Sequence, residues 1–405
     1  MCTTKGNETR SSERTKARIL FVPGFVVDTY SEIEKSFVEL CSSPDRNVEY
    51  LWLVPDISCK LNTFAKPESR MTLKEPVWVP HLRNNKIPYV VVNVSSYNLF
   101  ANLRIFRDIF RKHQIDAVYT HFGSIRFWAA FMSKLFGKVT IWNEHWYSLG
   151  GRFNFLKRLF YRLFVDEYIS VSKFITTTLP HHSQVHTVTN GIWPQISRAM
   201  TEEEAMNLRG QLGINPETLV VLMVAQFTPQ KRHDLALEIC RRVFEARPDT
   251  FFIFLGKGIT RLPFLEKAKT LGLQHKIIAP GYVSDVENYY SIADASMLTS
   301  YNEGFGYAIL EAMKHALPVI AFDTGGPAEV IHNGETGILV KDADVSTFTQ
   351  KLLELIDDGS LRERLGKSAR QAVQQEYNRQ IWIERLNAIL ERIVIRHRTQ
   401  AVSSG

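Results

Sequence analysis

The chain has 405 residues, 45% of them hydrophobic and 11% aromatic, enough to bury two cores and too apolar for a disordered polymer. Its net charge of +7 is unevenly placed: 25 Lys/Arg against 16 Asp/Glu over residues 1–195 (+9), then 24 against 26 over the remainder (−2). A basic half suits a nucleic acid, an anionic membrane face or a phosphorylated substrate, but no zinc, helix-turn-helix or RNA-binding signature accompanies it, so nucleic acid is not expected.

No apolar run approaches the roughly 18–20 residues of a spanning helix. Residues 1–17 are polar and basic with no apolar core, which reads as a flexible tail and not as a secretory signal. Cys2, Cys41, Cys59 and Cys240 show neither metal spacing nor a CxxC pair, so a reduced, cytoplasmic setting is expected.

Taken in order, residues 18–25 form a short apolar run ending at Pro23 and Gly24, a first buried strand and its turn. Helical spacing follows over 30–40. Further strands are expected at 89–94, 117–120, 139–142 and 167–171, with helices between them, clearest at 103–113 and 153–164. This alternation predicts a parallel sheet covered on both faces. In the 153–164 stretch Phe153, Leu156, Leu159, Phe160, Leu163 and Phe164 share one face, and Lys157, Arg158 and Arg162 the other. Two readings stay open: a core helix with a basic outer face, or a helix that docks on an anionic membrane surface.

The turn-rich segment Asn190-Gly191-Ile192-Trp193-Pro194 closes the first domain, expected over 18–193. After a charged stretch at 196–217 a second series begins, with strands at 218–225, 251–255, 276–279, 295–298, 319–322 and 338–340. These make a second α/β domain over 194–377. Residues 378–397 read as a long amphipathic helix within the final segment, 378–405.

The most informative stretch is 297–337: a strand end, a glycine-bearing loop, a helix over 307–316, a strand at 318–322 and another glycine loop. Glu303-Gly304-Phe305-Gly306 runs straight into the helix, which aims main-chain N–H groups and a positive dipole end at one spot, an anion site. Glu303 and Glu311 bracket the turn with seven residues between them. From periodicity alone Glu311 is a solvated glutamate and Glu303 a cap on free N–H groups.

This stretch resembles the retaining, nucleotide-sugar-dependent glycosyltransferases of family 4, which have the GT-B fold. The paired glutamates, Ala316-Leu317-Pro318-Val319-Ile320, Gly325-Gly326 and Asn333-Gly334-Glu335-Thr336-Gly337 carry the likeness. It implies two Rossmann-like parallel-sheet domains facing across a cleft, with the C-terminal helix crossing back to the first. It also implies a nucleoside-diphosphate sugar as co-substrate and a hydroxyl acceptor in polysaccharide or glycolipid assembly. No metal or other cofactor is expected, and the setting is cytoplasmic or peripheral on the inner face of the membrane.

Residue by residue, the resemblance places Glu303 on hydroxyls of the transferred sugar, Glu311 on the ribose, and the 304–307 segment (Gly304, Phe305, Gly306, Tyr307) on the diphosphate. The family's arginine and lysine after the first strand of this domain fall at Gln226 and Lys231. Lys231 matches; Gln226 does not, and Arg232 is the candidate for the missing charge. Gly256-Lys257-Gly258 and Gly281-Tyr282-Val283 align with segments that line the nucleotide pocket, although a strand end packing its aromatic explains Tyr282 equally well. His145, after the strand at 139–142, takes the position of a histidine that contacts the donor sugar; His121 is a weaker candidate. Gly24 stands where the family has a glycine pair near phosphates and acceptor. Neither His181-His182 nor Asp342-Ala343-Asp344 is expected to bind metal. Gln226 also leaves room for a different class of function, a catalytically silent GT-B subunit that binds a partner glycosyltransferase or an acceptor.

Overall fold

The computed structural model describes residues 16–24, 32–43, 47–56, 74–94, 98–121, 123, 125–145, 154–179 and 184–403. The first domain alternates β1 (Ala17–Val22), α1 (Glu32–Ser42), β2 (Val48–Pro55), α2 (Val79–Asn84), β3 (Tyr89–Val92), α3 (Leu99–His113) and β4 (Ala117–Thr120). It continues through α4 (Ile125–Leu135), β5 (Val139–Glu144), α5 (Asn154–Phe164), β6 (Glu167–Ser170), α6 (Lys173–Thr178) and β7 (Gln184–Thr187). Its seven strands lie in the order β3-β2-β1-β4-β5-β6-β7, all parallel.

The second domain runs α7 (Glu202–Gln211), β8 (Val220–Val224), α8 (His233–Ala246), β9 (Phe251–Leu255), α9 (Arg261–Thr270), β10 (Ile277–Gly281) and α10 (Val286–Ile292). It ends with β11 (Ala295–Leu298), α11 (Tyr307–Lys314), β12 (Val319–Phe322), α12 (Pro327–Val330), β13 (Gly337–Val340), α13 (Val345–Asp357) and α14 (Gly359–Gln375). Six parallel strands take the order β10-β9-β8-β11-β12-β13. Both sheets reverse strand order beside their first strand, between β1 and β4 and between β8 and β11, where open α/β sheets bind ligands. Together the two domains form the GT-B fold.

Two strands were not expected from the sequence. β2 is a continuous apolar run broken by Glu49 and buried elsewhere, a signal that does not by itself tell a buried strand from a buried helical segment. β7 is an edge strand with one apolar residue in four. The helix expected at 307–316 ends at Lys314, because Ala316 turns left-handed (φ 57°) ahead of Pro318.

A final helix, α15 (Arg379–Ser403), returns to the first domain as expected. Trp382, Ile383, Leu386, Leu390, Ile393 and Val394 are buried in the same cluster as Phe21, Trp52 and Phe37. The two crossings between domains lie side by side: the Ile192 N–H donates to Tyr377 O at 2.8 Å and the Arg379 N–H to Ile192 O at 2.9 Å.

The α5 face expected to pack inward does so only in part. Tyr161 is buried and Phe160 and Phe164 partly so, whereas Leu156, Leu159 and Leu163 point outward with Phe155. Periodicity located an apolar arc, but Trp142, Phe127 and Phe131 select its aromatic side for the core. Phe153 lies outside the described residues. Among those residues no helix is long and apolar enough to cross a membrane.

Candidate active site

A cavity of about 500 Å³ lies between the two sheets. The second domain contributes the loop after β8 and residues 303–308; the first contributes Ile33, His145, Val171 and Asn190. A hollow of about 780 Å³ between α8 and the α13–α14 turn is lined by helix exteriors alone and draws on no strand end, so the interdomain cavity is the candidate.

Lys231 and Glu303 face each other in its wall as an ion pair, each side chain less than a fifth exposed. Their loops are clamped together. The Thr299 hydroxyl donates to Lys231 O at 2.8 Å, the Tyr301 N–H to Gln230 O at 2.8 Å, and Gln230 Nε2 to Asn302 O at 3.1 Å. Behind Glu303, its carbonyl accepts from Gly326 N–H at 2.7 Å, which ties the two glycine loops. Gly306 opens α11 with φ 94°, a conformation that L side chains resist. In the first turn of α11 the Ile309 N–H donates to Gly306 O at 2.9 Å, while the N–H groups of Tyr307 and Ala308 have no acceptor within the helix and belong to residues of the cavity wall.

His145 enters from the end of β5. It is nearly buried, and burial, then the Arg126 charge, push its pKa down to about 3, so the ring is neutral near pH 7. Its Nε2 lies 3.1 Å from Nδ1 of His121. His121 is held well below its ordinary value by burial, His145 and Arg126. Two neutral imidazoles therefore share one proton-bearing contact, and His121 orients the ring that reaches the cavity.

Glu311 does not stand in the cavity wall. It sits one turn behind, partly buried, and accepts from the Tyr290 hydroxyl at 3.1 Å. Burial first, then the Glu32 charge across the domain interface, push its pKa up to about 7.

Gln226 lines the cavity and Arg232 does not. Arg232 is in a left-handed conformation (φ 49°), binds Asp342 at 2.5 and 3.4 Å, and lies 4.5 Å from the Tyr301 ring centre. The expectation that Arg232 supplies the missing charge is therefore corrected: its guanidinium is taken by a carboxylate outside the cleft. Lys231 is the one Lys or Arg among the described residues of the wall. Gly304, Phe305, Gly306 and Tyr307 all line the cavity; Gly24, Gly256, Tyr282 and Val283 do not. Tyr282 is 74% exposed with the Lys257 amine 5.8 Å from its ring centre. Asp344 accepts from Thr347 N–H at the start of α13, a capping role. Among the described residues no three His, Cys, Asp or Glu gather as metal ligands, and His181 and His182 fall outside those residues.

Three residues escaped sequence reasoning. Asn190 lines the cavity, although its Asn-Gly dipeptide was read only as a domain boundary. Tyr290 positions Glu311. Glu329 reaches across the interface to accept from Lys173 and Phe174 N–H groups at 2.8 and 2.6 Å, so it caps the first-domain helix α6. No local pattern marks Tyr290 or Glu329.

Residues 205–372, which carry Lys231 and both glutamates, match the sequence model of the family described as glycosyl transferases group 1. That match, 168 of the 405 residues, makes this segment similar to a group 1 glycosyltransferase domain. The chain is 27% identical over 180 residues to the putative glycosyltransferase EpsD of Bacillus subtilis, covering 44% of this chain and 47% of that protein. It is 29% identical over 198 residues to a GDP-mannose-dependent monoacylated alpha-(1-6)-phosphatidylinositol monomannoside mannosyltransferase of Corynebacterium glutamicum, 47% and 52% of the two chains. The match thus spans about half the length of these curated relatives. The likeness to solved structures is one of fold. A glycosyltransferase from Rickettsia africae superposes with a TM-score of 0.76 at 19% identity, over 94% of this chain and 99% of that one. Anabaena HepE in complex with UDP-glucose gives 0.74 at 17% identity, over 92% and 99%.

Proposed function

We propose that the protein transfers a sugar, with retention, from a nucleoside-diphosphate donor to a hydroxyl acceptor in the cleft between its domains. One observation carries this reading: a lysine, a glutamate and a glycine-opened helix start converge where His145 of the other domain enters. The bond from the sugar's anomeric carbon to the diphosphate breaks. The acceptor oxygen attacks that carbon from the same face and gives its proton to the departing phosphate. Lys231 and the α11 amides stabilise the growing negative charge without a metal. Glu303 and His145 orient the sugar, and Glu311 accepts from the ribose hydroxyls. Relatives named for glycolipid and polymer glycosylation support an acceptor in cell-surface assembly.

The test is release of nucleoside diphosphate across a panel of nucleotide-sugars, with product anomers assigned by NMR. Turnover with an inverted product would refute retention. Lys231 being the one lining cation among the described residues favours a second reading, a catalytically silent GT-B subunit that binds a partner glycosyltransferase or an acceptor. Calorimetry without nucleoside-diphosphate binding, together with no release from any donor tried, would establish that instead.

A further inference from the structure

α5 is apolar on two sides. Its inner side packs Phe160, Tyr161 and Phe164 against α4 and β5. On its outer side Phe155, Leu156, Leu159 and Leu163 are 76%, 58%, 42% and 51% exposed. At helical spacing these four fall within roughly 100° of arc, and the exposed Arg158 and Arg162 border them on one flank. The 11-residue helix contains no Asp or Glu. A helix that only covers a sheet keeps its solvent face polar; this one spends its outer face on large apolar groups that nothing in the described chain covers.

The surroundings have the same character. Residues 98–164 contain 11 Lys/Arg and 3 Asp/Glu. α3, α4 and α5 lie side by side on one face of the sheet, through Phe110 with Phe136 and through Phe127 with Phe160. The first turn of α3 presents Leu99 and Phe100, 41% and 83% exposed. In a parallel sheet each crossover helix begins at the strands' C-terminal edge, so the starts of α3 and α5 stand at the edge that carries His145.

We propose that this face docks on an anionic lipid bilayer, with α5 in the headgroup plane, its apolar stripe towards the acyl chains and Arg158 and Arg162 on lipid phosphates. The basic flank and absence of acids match a uniformly negative surface, and a bilayer offers apolar depth directly beneath that charge. Docking does not depend on the proposed reaction. It would hold the cleft edge near hydroxyl acceptors in the membrane, and that consequence alone rests on the reaction.

The full chain is floated with phosphatidylcholine vesicles, with and without phosphatidylglycerol, at low and high salt. Binding is expected only with phosphatidylglycerol and is expected to disappear as salt rises. Arg158→Glu/Arg162→Glu lowers it at least about tenfold. Phe155→Ser/Leu159→Ser lowers it similarly even at low salt. Both variants keep the wild-type melting temperature and nucleoside-diphosphate titration, which reads the cleft separately. Absence of flotation at low salt, or flotation unchanged in both variants, overturns the proposal. So does a dimer abolished by Phe155→Ser/Leu159→Ser without vesicle binding, which would assign the face to a second copy.

Discussion

Gly304 stands so close to the main chain of His145 that a β-carbon on it would lie 2.2 Å from the histidine carbonyl oxygen. The two residues belong to different domains, so this contact limits how closely the domains approach each other at the cavity. Gly304→Ala must push the loops apart. Turnover is expected to fall at least about tenfold, since misplacement by an ångström costs more than that, with stability lower by about 1–3 kcal/mol. Small-angle scattering should show a larger radius of gyration; a wild-type profile with full activity would remove this contact from the mechanism.

Lys231 is the one cation among the described residues of the wall and already holds Glu303. A charge-assisted contact to a phosphate contributes about 1.5–3 kcal/mol, so Lys231→Ala should lower kcat by roughly 10–150-fold. The reverse experiment uses Gln226. Gln226→Arg should tighten nucleoside-diphosphate binding by about tenfold in calorimetry. Unchanged kcat in the first variant, or weaker binding in the second, would refute the phosphate assignment.

Glu311 makes stability depend on pH in a direction that can be worked out. Its folded pKa of about 7 lies above the ordinary 4.5, so between those values the folded state holds a proton that the unfolded chain releases. Its contribution is neutral below about pH 4.5, declines through the window and reaches a loss of about 3 kcal/mol above pH 7. Glu311→Gln should therefore melt higher than wild type at about pH 8 and alike at about pH 4. A variant whose melting curve runs parallel to wild type across that range would show that the carboxyl does not titrate there. Removal of the carboxylate as Glu311→Ala should also raise the donor KM.

Arg379 is fully buried at the crossing between domains. It donates to Gly191 O at 2.9 Å and to the Glu39 and Glu32 carboxylates at 2.7 and 2.8 Å. Removing one partner of such a set leaves the others desolvated, and Arg379→Met should cost about 3–5 kcal/mol in denaturant unfolding. A loss below about 1 kcal/mol would mean the network behaves as a surface pair.

The sequence by itself determined the alternation of strand and helix, the presence of two α/β units and the glycine loop before α11. These features are local: burial on both faces appears as a continuous apolar run, and a turn that must go left-handed appears as glycine. Tertiary structure alone decided the rest. Arg232 turns to Asp342, a partner 110 residues away; Glu329 reaches the start of α6, 155 residues away; Tyr290 finds Glu311 from a different helix. Such pairs depend on strand order and domain closure, which leave no trace in the spacing of nearby residues. α5 shows the same limit, for hydrophobic periodicity records that an arc is apolar, and only the neighbour packed against it decides which arc becomes core.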